Sequence, residues 1–205
     1  MIWSTLTALT LAAMLAPVDA IPAQPTDDTV TERTTFTLMP ASKLSVKGTS
    51  TVQSYECVAP QITASVSAAS AVNTVADLQS METVRLTIPV AAMDCGNRTM
   101  DGHMRNALKA GASPNIQFQL DSHTVRANGD AAGTVQMRGR LTIAGQTKPI
   151  QMTANLSRQA DGTVRVRGSH GFDMTEFGVE PPRLMMGTLR VHDPVVVEFD
   201  LALRP

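Results

Sequence analysis

His103, His123, His170, His192, Cys57 and Cys95 are the side chains of this 205-residue chain best suited to act as bases, metal ligands or nucleophiles. Their spacing argues against those roles. No two histidines stand three or four residues apart, as a local metal site on one helix requires, and neither cysteine belongs to a CxxC or CxxCH run. The chain also lacks the GxSxG elbow that presents a catalytic serine, the HExxH zinc helix, a P-loop and a dinucleotide-binding glycine fingerprint. The expectation is a protein with no catalytic residues, no metal and no cofactor. A site assembled from distant positions would leave no such local trace.

The N-terminus bears on what the cysteines do. Leu6 to Val18 form an apolar run with Thr7 and Thr10 as its polar interruptions, followed by Val18-Asp19-Ala20, a small-residue cleavage pattern. This predicts a signal peptide over residues 1–20, cut after Ala20 or after Ala23, and a periplasmic or secreted mature chain. The alternative is an uncleaved anchor helix. The run is short for a membrane span, and no later stretch approaches the ~20 apolar residues that a span needs, so none is expected in the mature chain. In an exported chain an even cysteine count favours pairing. A Cys57–Cys95 disulfide is predicted, tying the strand around Tyr55 to Val58 to the loop that follows Ile88.

Composition narrows the partners. Seventeen Lys and Arg against 18 Asp and Glu give a formal net charge of -1, which lacks the basic excess of a nucleic-acid surface. No nucleic-acid partner is expected; a homodimer is compatible with the sequence. Residues 21–35 carry Pro, Gln, Asp, Thr and Glu without apolar periodicity and read as a flexible leader. Residues 36–205 suit one domain with a single sizeable core.

Within that domain, apolar residues recur at every second position in Val84/Leu86/Ile88, Ile116/Phe118/Leu120, Val135/Met137/Leu141, Ile150/Met152/Leu156 and Val195/Val197/Phe199/Leu201. Arg85, Gln117, Arg138, Thr153 and Glu198 occupy opposite faces. Each segment reads as a half-buried strand, and Asn128-Gly129, Ala144-Gly145 and Asp161-Gly162 are the expected turns. Closure of about eight such strands removes two adhesive edges and leaves room for one small ligand. Met100, Met104, Ala107 and Leu108 instead recur at helical spacing, predicting a short helix near residues 100–110, stopped by Gly111 and Pro114.

The stretch Met100-Asp-Gly-His-Met-Arg105 followed by Ser113-Pro-Asn-Ile-Gln-Phe118 resembles the Asp-x-His-Leu-Arg helix and following strand of the YceI-like family. Gly48 to Val52, Gly139 to Ile150 and Thr175 to Val179 resemble further motifs of that family in the same order. Two positions depart from its pattern: Met104 stands for the usual Leu, and Met174 where many members carry Arg. The resemblance implies an antiparallel, lipocalin-like β-barrel capped by the helix, and a non-catalytic carrier that holds a polyisoprenoid or other long apolar molecule inside. Combined with the alternation, it makes Leu86, Ile88, Phe118, Leu120, Met137, Leu141, Met152, Val197 and Phe199 the candidate ligand-binding lining. Met100, Met104 and Leu108 are expected to close one end. Ten methionines beyond residue 20 suit a lining that adapts to a flexible chain, and equally an ordinary core.

Near the helix, His103 reads either as a polar gate at the barrel mouth or as part of an anchoring turn. In the second reading Thr99 or Asp101 caps the first turn and Arg105 bonds nearby loop carbonyls. The alternative for the whole chain is a structural barrel with a filled core that meets a protein partner through loops such as Pro181 to Gly187. If the signal reading holds, N-terminal sequencing of the exported protein is expected to begin at Ile21 or Gln24; a chain retaining Met1 contradicts it.

Overall fold

The computed structural model describes residues 33–184, 186 and 188–205. The expected signal peptide and most of the expected leader lie outside the described residues, as do Met185 and Gly187 of the loop proposed for a partner. The strands are β1 (Thr34–Leu38), β2 (Lys43–Ser50), β3 (Ser54–Val58), β4 (Thr63–Ala68), β5 (Met81–Pro89) and β6 (Asn115–Ala127). They continue with β7 (Ala132–Ile143), β8 (Gln146–Arg158), β9 (Val164–Asp173), β10 (Arg183–Leu184) and β11 (Leu189–Arg204). One helix, α1 (Arg98–Ala107), stands between β5 and β6.

Pairing runs β1-β4-β5-β6-β7-β8-β9-β11, all antiparallel, and β11 returns to β1 at Thr37↔Arg204 and Leu38↔Leu203. Eight strands therefore close a barrel, as the alternation and the family resemblance predict. The long β11 serves two neighbours on one edge: its C-terminal end pairs with β1, and the preceding stretch, from Val191 to Asp200, pairs with β2, which carries β3. The expected turns all occur between strands. Ala144 and Gly145 both adopt left-handed backbone (φ 49° and 81°), the geometry of a two-residue hairpin whose twist matches its strands.

Two glycines on the inner face let aromatic rings lie flat against the sheet. A Cβ on Gly139 would fall 2.7 Å from Phe118 Cε2, and one on Gly168 would fall 2.6 Å from Phe199 Cζ. Phe199 is the cross-strand partner of Gly168, and Phe118 lies diagonal to Gly139, whose own partner is Leu120, so each ring covers glycine backbone on the neighbouring strand.

On the outer face, β9 and the closing strand β11 are clamped by Asp200. It accepts from Arg165 Nε (3.0 Å) and a terminal nitrogen (2.7 Å), and from Arg167 Nε (2.9 Å). Partial burial works to raise the Asp200 carboxyl, but the hydrogen bonds from Arg167 and Arg165 outweigh it and hold the group below the usual range. A depressed carboxylate stabilises the fold above its unfolded pKa and loses that contribution as pH falls through the folded value. Acid denaturation is therefore expected below about pH 4, with a shallower pH slope in Asp200→Asn. Gly168→Ala is expected to lower stability by ~1–3 kcal/mol in urea titrations, because Phe199 must leave its seat.

Candidate functional site

The barrel encloses a cavity of about 950 Å³, near the top of the ~300–1,000 Å³ range of small-molecule sites. Its walls follow the alternation: Leu86 and Ile88 from β5, Phe118 from β6, Met137 and Leu141 from β7, Met152 from β8, Val197 and Phe199 from β11. Met100, Met104 and Leu108 line it from the helix end. Leu120 departs from the expected set. The β6–β7 register shifts between Leu120 and Ser122, leaving Asp121 as the extra residue, pinned by Arg140 at 3.0 Å. Leu120 packs against the Leu86–Phe118–Leu201 cluster without lining the cavity, and His123 and Val125 supply the wall beyond the bulge.

One end is filled. Between β4 and β5 the chain folds inward, and Val72, Val75 and Leu78 pack on Phe36, Val66, Val135, Leu156 and Val164. Asp77 shapes this plug by accepting from Thr74 N (2.7 Å) and Asn73 N (2.9 Å), and these bonds hold its carboxyl below the ordinary range. The bulged strand then holds the plug in place: Val125 N donates to Gln79 Oε1 (2.8 Å), Gln79 Nε2 donates to the His123 carbonyl (3.3 Å), and His123 Nε2 lies 3.0 Å from the Leu78 carbonyl.

The other end carries α1 as a lid. Its N-cap is Asn97, whose Oδ1 accepts from Thr99 N (2.9 Å) and Met100 N (3.3 Å), in place of the expected Thr99 or Asp101. Asp101 reaches back to Cys95 N (2.8 Å) and pairs with Arg105 (3.4 Å). Arg105 Nε donates to the Asp101 carbonyl (3.2 Å) within its own helix, where a loop carbonyl was the expected acceptor. The predicted disulfide, Cys57–Cys95, is present and spans 38 positions. With the paired bonds Val58 N to Asp94 O (2.7 Å) and Asp94 N to Val58 O (3.0 Å), it fastens the leading edge of the lid to β3.

The underside of α1 (Met100, His103, Met104, Ala107, Leu108) lines the cavity, yet no residue of the helix is fully buried. The same holds at mid-barrel, where the inward-facing Met137, Leu141, Ile150, Met152, Val197 and Phe199 are only half-buried. In a filled core such side chains would be close-packed. The cavity reaches solvent at the β2–β3 turn, since Val52, 71 % exposed, is part of its lining.

Sequence reasoning missed the wall given by β9: Val164, Val166, His170 and Phe172. Their alternation with Arg165, Arg167, Ser169 and Gly171 was the available signal, diluted by glycine and histidine. Three of the four histidines, His103, His123 and His170, line the cavity, while His192 bonds Thr49 outside it (2.9 Å). No metal-binding cluster occurs among the described residues, and no helix among them is long and apolar enough to cross a membrane. Seven methionines, Met81, Met93, Met100, Met104, Met137, Met152 and Met174, line the lumen. Behind Met174 the Thr175-Glu-Phe-Gly turn buries Phe177 edge-on against Phe172 (5.0 Å between centroids), and Gly178 closes it at φ 64°.

A model of the YceI-like domain matches residues 29–203. The chain belongs to the YceI-like family. A UPF0312 protein of Pseudomonas aeruginosa is 32 % identical over 106 residues, covering 49 % of this chain and 54 % of the relative. A UPF0312 protein of Serratia proteamaculans is 33 % identical over 82 residues, 40 % of this chain and 41 % of the relative. The YceI-like chain thus matches about half the length of these curated relatives. Among solved structures, Burkholderia cenocepacia BcnA superposes with a TM-score of 0.65 at 18 % identity, covering 81 % of this chain and 99 % of that one. A polyisoprenoid binding domain from Saccharophagus degradans gives 0.61 at 13 %, covering 82 % and 97 %. At these identities the likeness is one of fold.

Removing the lid anchor is expected to be costly. Replacing both cysteines by serine should lower stability by up to about 4 kcal/mol by the loop-entropy relation, read as a loss in denaturant midpoint that reducing agent reproduces in the parent protein.

Proposed function

We propose that this YceI-like protein is an exported, non-catalytic carrier that shields one long apolar molecule, a polyisoprenoid or a lipid of similar shape, inside its barrel. The observation that carries the reading is the ring of large inward side chains left half-buried around about 950 Å³ of apolar space. At ~24 cal/mol per Å³ of void, a dry cavity of that volume would cost roughly 20 kcal/mol, more than the ~5–15 kcal/mol by which domains are stable. The lumen must therefore hold water or a guest. Water gains few hydrogen bonds from walls of Leu, Val, Ile, Met and Phe, whereas each methylene brought in contributes ~0.8 kcal/mol.

The family supports the same reading, since a structural neighbour is described as a polyisoprenoid binding domain. Length and shape would govern selection, with thioethers adjusting to the bends of the chain. Export rests on the N-terminal apolar run, and the disulfide accords with an oxidising compartment. A core filled throughout, with a partner meeting the loops, is not what the half-buried mid-barrel side chains favour.

Native mass spectrometry and organic extraction of the purified protein are expected to reveal co-purifying lipid. Leu141→Trp, which fills the lumen, should reduce the bound fraction severalfold, while Thr153→Trp on the outer face should leave it unchanged. Equal lipid content in both variants contradicts the assignment.

A further inference from the structure

The lumen carries no fixed charge. Among its described lining residues there is no Asp, Glu, Lys or Arg, and its ionisable side chains are His103, His123, His170 and Tyr55. Arg140 pairs with Asp121 (3.0 Å), Lys47 with Glu198 (2.6 Å), and Arg165 and Arg167 with Asp200 on the outer face, while Arg158, whose Nε is buried opposite Val164 and whose charge acts on Asp77 of the plug, is not among the lining residues. Near the lid, Arg105 is held by Asp101, Lys109 Nζ donates to the Gly178 carbonyl (3.3 Å), and the exposed Arg98 is not among the lining residues. The uncharged polar groups in the lining include the Thr99 hydroxyl, the Gln53 amide and the amide nitrogen of Asn97, while the Ser50 hydroxyl and Asn97 Oδ1 are engaged by backbone.

An ion entering this space would leave water without meeting an opposite charge, a transfer that folded proteins compensate by pairing or avoid. A hydroxyl or carbonyl needs only a donor or an acceptor, and the mouth supplies both. Burial also pushes the Tyr55 hydroxyl away from ionisation, as expected of low-dielectric surroundings.

We infer that the cargo is electrically neutral along its whole length, ending in an uncharged polar group such as an alcohol, phenol or carbonyl, and that the barrel rejects the same tail carrying a phosphate or an amine. This rests on the carrier reading and narrows it. It also accounts for a lining in which Met174, next to the buried Phe177 turn, extends the apolar wall up to the rim.

The test compares farnesol, farnesyl diphosphate and farnesylamine, one tail with three heads, as competitors of the neutral fluorophore N-phenyl-1-naphthylamine bound to delipidated protein. Farnesol is expected to displace the dye at concentrations about tenfold or more below either charged analogue. Displacement by the diphosphate or the amine at concentrations equal to or below that of farnesol overturns the inference while leaving the carrier reading intact. Failure of the dye and all three competitors to bind overturns the carrier reading and the inference together.

Discussion

The closed ring of backbone hydrogen bonds through β1, β4 to β9 and β11 fixes a radius that the side chains inside do not fill. A helical bundle with the same deficit would draw its elements together until the void closed. Here the distance across the lumen is set by strand number and stagger, and cannot shrink without breaking ladders. The return of β11 to β1 at Leu38↔Leu203 completes that ring. The scarcity of rings, with aromatic residues at 3 % of the chain, leaves mid-barrel volume to Leu, Val and Met. Phe118 and Phe199 are laid against Gly139 and Gly168, which turns them from potential fillers into wall.

The two ends of the barrel solve opposite problems. At the plug, Val72, Val75 and Leu78 complete a close-packed cluster, and the β6 bulge supplies the backbone donor and acceptor that hold the plug through Gln79. That end provides the stability of a conventional core. At the lid, Met100, Met104 and Leu108 face the lumen while packing at their edges on Cys57, Ile88, Met93 and Cys95, and the helix is fastened by the disulfide, the Val58–Asp94 bridge and the Asp101 bond to Cys95 N. A helix none of whose residues is fully buried is among the elements expected to open at low free energy. Among the described residues the lumen opens at the β2–β3 turn, and Val72 and Val75 of the plug lie behind its floor.

Much of this was legible in the residue pattern, for a physical reason. A half-buried strand must alternate, so β5, β7, β8 and β11 declared their inner faces, and the turns declared themselves through Asn128-Gly129, Ala144-Gly145 and Asp161-Gly162. Alternation fails where backbone geometry changes without a change in composition. Nothing in Leu120-Asp121-Ser122 announces a bulge, yet that one extra residue exchanges Leu120 for His123 in the wall. In β9, Gly168 and His170 replace the apolar residues that would have marked the inner face, and the glycine is there because Phe199 lies on it. The cap is Asn97 because the helix begins at Arg98, ahead of the apolar spacing that starts at Met100, which leaves Asp101 inside the first turn, where it accepts from Cys95 N. Hollowness itself could not come from periodicity, since a filled and an unfilled barrel alternate alike; it entered through the family resemblance and is carried by the half-buried inner side chains.

The central claim, an apolar lumen left open by the barrel wall, is tested most directly by diffraction from crystals of delipidated protein pressurised with xenon, an atom that enters apolar cavities. The account predicts xenon between Leu141, Met152 and Phe199 at mid-barrel, and none around Val72 and Val75, the plug residues that do not line the lumen. A lumen that takes up no xenon because its side chains close upon one another would contradict it.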